Sequence, residues 1–252
     1  MVKLSVCVDQ VAALRNITKR GEPDPMTAVM MSQVSGADAV TISWASDASL
    51  YLGGEYDIIR QLVHSHLNVI APPDPELLQS ILTISPDMVT LVPLGYGHAG
   101  LNNDWYDSPW PQGDSLERPV ERMIGVLQEN RILTNILIRP TATHVRQCAE
   151  IKTDYVHIDA SQYVQAADPE KKALVFEEMA GAAKTAARLN MGVSVGRGVD
   201  YRTAADLAGI AEVEEMVVGY AVAVRAMTIG FERAVRDLVD IIRHAPRPPV
   251  DW

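Results

Sequence analysis

The sequence predicts a (β/α)₈ barrel, a closed ring of eight parallel strands with helices outside. Three observations carry this. Eight short apolar runs recur along the 252 residues. Helical patterns separate them, with no break in composition. The last two runs end in glycine turns, Gly196-Arg197-Gly198 and Gly219-Tyr220, and two such turns in adjacent βα units are where a barrel of this type holds a phosphate. A glycine at a strand-to-helix turn lets backbone N–H groups approach an anion closely. A doubly wound open sheet is the alternative; eight regular repeats favour the barrel.

The expected strands are Leu4–Val8, Ala39–Ser43, Leu67–Ala71, Met88–Val92, Leu133–Ile138, Tyr155–Ile158, Gly192–Val195 and Met216–Val218. Several are apolar almost throughout, as parallel strands covered on both faces should be. Helices are expected near 26–35, 55–65, 74–83, 115–129, 141–151, 168–190, 201–209 and 228–244. Asp74 before Pro75 has the form of a capped helix start. Residues 1–252 are expected to form one domain, a length normal for this barrel. Two segments depart from the repeat. Gly95–Gly113 follows the fourth strand and is rich in Gly, Asn, Asp and aromatics; its place on the catalytic face suggests a lid carrying Tyr96, His98, Trp105 and Tyr106. Its GxGxxG match is a poor dinucleotide loop, because Asn102, Asn103 and two prolines stand where a helix must follow. The proline-rich stretch Arg243–Trp252 cannot extend the last helix.

Composition narrows the function. With 48% hydrophobic residues and a mean hydropathy near zero, the chain can bury a large core. The formal charge of −10 and pI near 5.0 argue against a nucleic-acid or anionic-membrane surface. No stretch reaches membrane-spanning length, and the chain is expected in the cytoplasm. Cys7 and Cys148 have no metal or redox spacing and read as reduced thiols.

In a barrel, the residues free to do chemistry stand at the carboxyl ends of the strands. Candidates are Asp9, with Arg15 and Asn16 in the loop that follows, then Ser43, Tyr51, His157, Asp159, Arg197, Gly198, Gly219 and Tyr220. Asp9 could act as a general base or form an ion pair with Arg15. Arg197 beside Gly198 would add charge to an anion site. His157 and Asp159 face the same way on a strand, but a lone His-x-Asp is nonspecific and no metal is assigned. Asp9, His157, Asp159 and Tyr51 are the catalytic candidates. Arg15, Ser43, Arg197, Gly198, Gly219 and Tyr220 are the candidates for holding a small anionic or phosphorylated metabolite.

The stretches VCVDQVAALRN (6–16), EPDP (22–25), SGADAVTIS (35–43), LVP (91–93), GRGVDY (196–201) and VVGYAVAVRAM (217–227) resemble the pyridoxine 5′-phosphate synthase family in register over nearly the whole chain. The resemblance implies a (β/α)₈ barrel without metal or organic cofactor, assembled as an octamer. It also implies condensation of 1-deoxy-xylulose 5-phosphate with an aminoacetone phosphate into a pyridine ring. Against that family's pattern, the strand-one Asn-x-Asp-His reads Cys7-Val8-Asp9-Gln10. The strand-two His-Leu-Arg reads Ser43-Trp44-Ala45, and a further histidine falls near Leu50 or Tyr51. The strand-three glutamate falls on Ile70, His-Gly on Arg197-Gly198, and Gly-His on Gly219-Tyr220. Ring closure needs several proton transfers by positioned groups. The expectation is therefore a barrel repurposed for another cofactor-independent condensation, cyclisation or lyase reaction. The alternatives are a non-catalytic metabolite-binding or partner subunit, and a genuine pyridoxine 5′-phosphate synthase.

Overall fold

A computed structural model of the chain describes residues 1–44, 50–93 and 114–246, with 114–119 described in backbone only. The expected lid residues Tyr96, His98, Trp105 and Tyr106 lie outside the described residues, as do residues 247–252.

Eight strands close into one parallel barrel in chain order: β1 (Lys3–Cys7), β2 (Ala39–Ser43), β3 (His66–Ala71), β4 (Met88–Leu91), β5 (Leu133–Ile138), β6 (Tyr155–Asp159), β7 (Gly192–Gly196) and β8 (Glu215–Val218). Closure is made where β8 pairs with β1, Met216 opposite Leu4 and Val218 opposite Val6. The strands are short and β-branched, and their outward residues, such as Val6, Val40, Val69, Val156 and Val193, are fully buried under the helices.

The helices are α1 (Asp9–Thr18), α2 (Pro25–Val34), α3 (Glu55–Leu62), α4 (Pro75–Ile84), α5 (Asp114–Glu129), α6 (Ala142–Glu150), α7 (Ser161–Gln165), α8 (Pro169–Arg188), α9 (Ala204–Ala208), α10 (Tyr220–Ile229) and α11 (Phe231–Arg243). α2, α4 and α8 share one start, an aspartate followed by proline. Asp24, Asp74 and Asp168 each accept from backbone N–H groups of the first turn, and proline occupies the position whose N–H has no intrahelical partner.

Three helices lie where loops were expected. α1 takes in Arg15 and Asn16; α7 follows β6; α10 precedes the last helix. None of the three has a side-chain cap at its start, so the sequence carries no start signal for them. Gly230, at φ 84°, separates α10 from α11 in a conformation an L side chain rarely adopts.

Candidate active site at the mouth of the barrel

β1 ends at Cys7 and α1 begins at Asp9, which sets a carboxylate at the carboxyl end of the barrel. Asp9 is buried and fully engaged. Its Oδ1 accepts from the Ser43 N–H at 2.9 Å and from the Tyr51 hydroxyl at 2.9 Å. Its Oδ2 accepts from Ser43 Oγ at 2.5 Å. Three of the sequence candidates, Asp9, Ser43 and Tyr51, thus form one cluster. Burial, followed by the Asp9 charge, pushes the Tyr51 phenol well above its ordinary value, so Tyr51 holds its proton beside the carboxylate. The same two causes raise the Cys7 thiol.

The expected pairing of Arg15 with Asp9 is replaced by another. Arg15 sits nearly two turns further along α1, and its guanidinium grips Glu55 through two nitrogens, at 2.5 and 3.1 Å, while donating to the Leu50 carbonyl at 3.1 Å. Arg15 is buried in these contacts, so its charge is already matched rather than offered to an anion. Glu55 has no distinguishing pattern in the sequence and was not foreseen.

His157 and Asp159 do face the same side of β6, but each engages a different partner. His157 Nδ1 lies 2.8 Å from Ser194 Oγ. Burial, then the Arg197 charge, lowers the imidazole pKa to about 4, so it is neutral at physiological pH. Gly196 makes room for the ring: a Cβ there would stand 2.5 Å from His157 Nε2. Asp159 Oδ1 accepts from the Ser161 N–H at 2.6 Å, and its Oδ2 lies 3.2 Å from Arg197 Nε in a buried ion pair. Arg197 was expected to face an anion; its side chain is instead held against Asp159. Among the described residues, no group of three His, Cys, Asp or Glu side chains converges as a metal site.

The two glycine turns differ. Gly198 has φ 82° and follows Arg197 at φ 62°, a left-handed pair. Gly219 has φ −125° and needs its size rather than its freedom, since a Cβ would fall 2.4 Å from Gln10 Oε1 and 2.9 Å from Cys7 Cβ. Tyr220 was expected on the polar rim. Its side chain is largely exposed and lines a groove outside the barrel with Gln10, Leu14 and Met227; only its backbone, in the first turn of α10, remains as a candidate anion donor.

Beneath the mouth, the barrel interior carries a hydrogen-bonded polar belt. Ser5 meets Thr41 at 2.7 Å, Asn68 bridges Thr41 and Thr90, and Asn135 bridges Thr90 and Ser194, which reaches His157. The signal was present as at least one polar residue inside seven of the eight apolar runs. Only closure of the barrel shows that these residues share the inner face. Ile70 packs with Val92 and Leu137 as a small apolar wall.

Fold and site define a (β/α)₈ barrel with its candidate acid–base groups at the carboxyl ends of the strands, the end where such barrels carry their chemistry. The sequence matches the family described as pyridoxal phosphate biosynthesis protein PdxJ over residues 4–244, and the chain belongs to that family. It is 30% identical to the pyridoxine 5′-phosphate synthase of Geobacter metallireducens, covering 97% of this chain and all of the relative. It is 29% identical to that of Syntrophobacter fumaroxidans, covering 96% and 99%. Among solved structures it is similar to 3-hexulose-6-phosphate synthase from Salmonella typhimurium, at TM-score 0.64 and 14% identity over 97% of this chain and all of that one. It is also similar to phosphoribosyl anthranilate isomerase from Thermus thermophilus, at TM-score 0.57 and 11% identity over 96% and 98%. At those identities the two structures share only the fold.

These relatives correct one expectation. A barrel repurposed for a different reaction is not what they support: full-length identity of 28 to 30% recurs among proteins all named pyridoxine 5′-phosphate synthase. The folded mouth brings Asp9, Ser43 and Tyr51 into one hydrogen-bonded cluster, which no single position of the sequence displays.

Proposed function

We propose that this chain forms pyridoxine 5′-phosphate, the product its relatives are named for. The observation that carries this is the family match over residues 4–244, with relatives covered end to end. The reaction is the condensation named with the family resemblance above, between two small phosphorylated metabolites. It requires proton removal and return at several steps, each by a positioned group.

In this reading Asp9 is the principal base and Tyr51 its proton-bearing partner. Ser43 orients the carboxylate through two donors, and neutral His157 is a second acceptor deeper in the barrel. These groups do the work at the mouth where the family resemblance places histidines and a glutamate that this chain replaces, Ile70 among them. A phosphate group is bound at the Gly198 turn and at the first N–H groups of α10, from Gly219 and Tyr220, with the Arg197–Asp159 pair fixing the shape of the turn. The mechanism needs no metal or organic cofactor, and the reaction belongs to the cytoplasm.

Two copies or more associate in this reading. The net charge of −10 opposes self-association except through an uncharged face. The exposed side chains Leu14 and Ile17 of α1 and Tyr220, Val224 and Met227 of α10 form such a face.

The test is direct. Purified protein supplied with 1-deoxy-xylulose 5-phosphate and an aminoacetone phosphate should yield pyridoxine 5′-phosphate. The gene should also restore growth of a B6-requiring strain that lacks its own synthase. No product in the first assay and no growth in the second would overturn the assignment.

A further inference from the structure

The Arg15–Glu55 pair does more than join two helices. Glu55 is the first residue of α3, and its carboxylate binds in two directions. Towards α1 it holds Arg15 through both oxygens. Towards its own chain, Oε2 accepts from the Leu52 N–H at 2.7 Å. Arg15 Nη2 and Asn16 Nδ2 then both donate to the Leu50 carbonyl, at 3.1 and 3.0 Å. The backbone on either side of Tyr51 is therefore gripped, at Leu50 from α1 and at Leu52 from α3. Between the two grips the Tyr51 side chain turns inward, 2% exposed, and donates to Asp9. Its ring lies 5.3 Å from that of Tyr56, which stacks on Trp44 at 4.0 Å and donates to the Ser43 carbonyl.

We propose that Glu55 is a positioning residue: with Arg15 it clamps residues 50–52 so that the Tyr51 hydroxyl stays on Asp9. Its role as part of a catalytic apparatus rests on the synthase reading; its role in placing Tyr51 does not. The physical case is one of entropy. A turn held by a single hydrogen bond would sample several conformations. A bidentate arginine–carboxylate pair has fixed fork geometry, and here the same two side chains also hold backbone groups on both sides of one residue. Partial burial of the pair keeps solvent from competing for it. The titratable groups near the Tyr51 hydroxyl are the Asp9 carboxylate, the neutral Cys7 thiol and the Tyr56 hydroxyl. Glu55 touches none of the reacting groups, so its effect must pass through the clamp.

The experiment labels tyrosines with ¹³C at Cζ and follows the Tyr51 resonance, assigned by its absence in Tyr51→Phe. In the wild type this resonance should stay protonated well beyond the pH at which an exposed tyrosine titrates. In Glu55→Ala it should titrate near an ordinary tyrosine, with circular dichroism unchanged. In the assay for pyridoxine 5′-phosphate, kcat should fall at least tenfold with KM changed less than threefold, and Glu55→Gln should recover part of kcat through its remaining acceptor oxygen. Should Glu55→Ala fail to fold, Glu55→Gln carries the same test with a smaller change in titration. A Tyr51 titration identical in wild type and variant would overturn the proposal. A shifted titration in a protein whose wild type makes no product would uphold the clamp and overturn the synthase reading instead.

Discussion

At the residue scale, the site turns on how a carboxylate is satisfied. Among the described residues, Asp9 receives three hydrogen bonds from two residues, Ser43 and Tyr51, and none of its hydrogen-bond donors is a cation. Replacing it by Asn would turn one acceptor into a donor facing donors. Asp9→Asn is expected to lower kcat by roughly 10²–10⁴, the range for removing a general base. It should also cost about 1–3 kcal/mol of stability through a buried unmatched donor. Steady-state kinetics and urea unfolding of the same preparation would separate the two effects. The candidates the sequence brought forward divide here. Asp9, Ser43 and Tyr51 were readable because strand ends in a barrel point to one mouth. The partner of Arg15 was not, because Glu55 lies 40 positions away and only the folded chain brings the two side chains together.

At the element scale, the βα turns after β6 and β7 are locked to each other. Asp159 at the end of β6 pairs with Arg197 at the end of β7, and both side chains are removed from solvent. Arg197→Ala leaves the carboxylate buried without its ion partner. It is expected to destabilise the fold by about 3–5 kcal/mol, the cost of breaking a buried pair from one side. Asp159→Asn combined with Arg197→Ala should cost less than Arg197→Ala alone, because the stranded charge is gone. Thermal unfolding of both variants gives the comparison, and equal losses would show that the pair is exposed in solution. At the same scale, an α10 that ends at Gly230 and presents Val224 and Met227 outward predicts that Met227→Glu reduces the assembly mass in light scattering. An unchanged mass would show that this face is not a subunit contact.

At the scale of the whole molecule, two buried groups set opposing pH responses. His157 has a pKa lowered to about 4 by burial and by Arg197. Between there and its ordinary 6.5 the unfolded chain binds more protons, so its contribution to stability is lost as pH falls. Glu215, near the amino end of β8, has a pKa raised from 4.5 to about 7, chiefly by burial. Across that interval the folded chain binds more protons, so its contribution is lost as pH rises. Where the two windows overlap, from about pH 4.5 to 6.5, the slopes largely cancel. Each is of the order of 3 kcal/mol over its full window, at 1.36 kcal/mol per pH unit. Glu215→Gln should expose the histidine's slope, giving a protein that gains stability from pH 4.5 to 6.5 and is more stable than wild type at pH 8. His157→Gln should expose the opposite slope. Chemical denaturation at several pH values would show both, and parallel curves for all three proteins would refute the cancellation.

The sequence by itself determined the barrel. Eight apolar runs with helices between them leave few ways to bury both faces of every strand, and the resemblance to the pyridoxine 5′-phosphate synthase family was carried by local stretches such as residues 6–16 and 196–201. It also placed Asp9, Ser43 and Tyr51 at one end of the molecule. It could not show α1, α7 or α10, whose starts carry no capping side chain. Nor could it show the polar belt from Ser5 to His157, whose members are single residues in separate strands. Tertiary structure alone decided that Arg15 serves Glu55, that Arg197 serves Asp159, and that the Tyr220 ring faces outward. The reason is one of range. Hydrophobic periodicity is written in neighbours a few positions apart, whereas each of these pairings joins residues tens of positions apart and exists only once the ring of strands has closed.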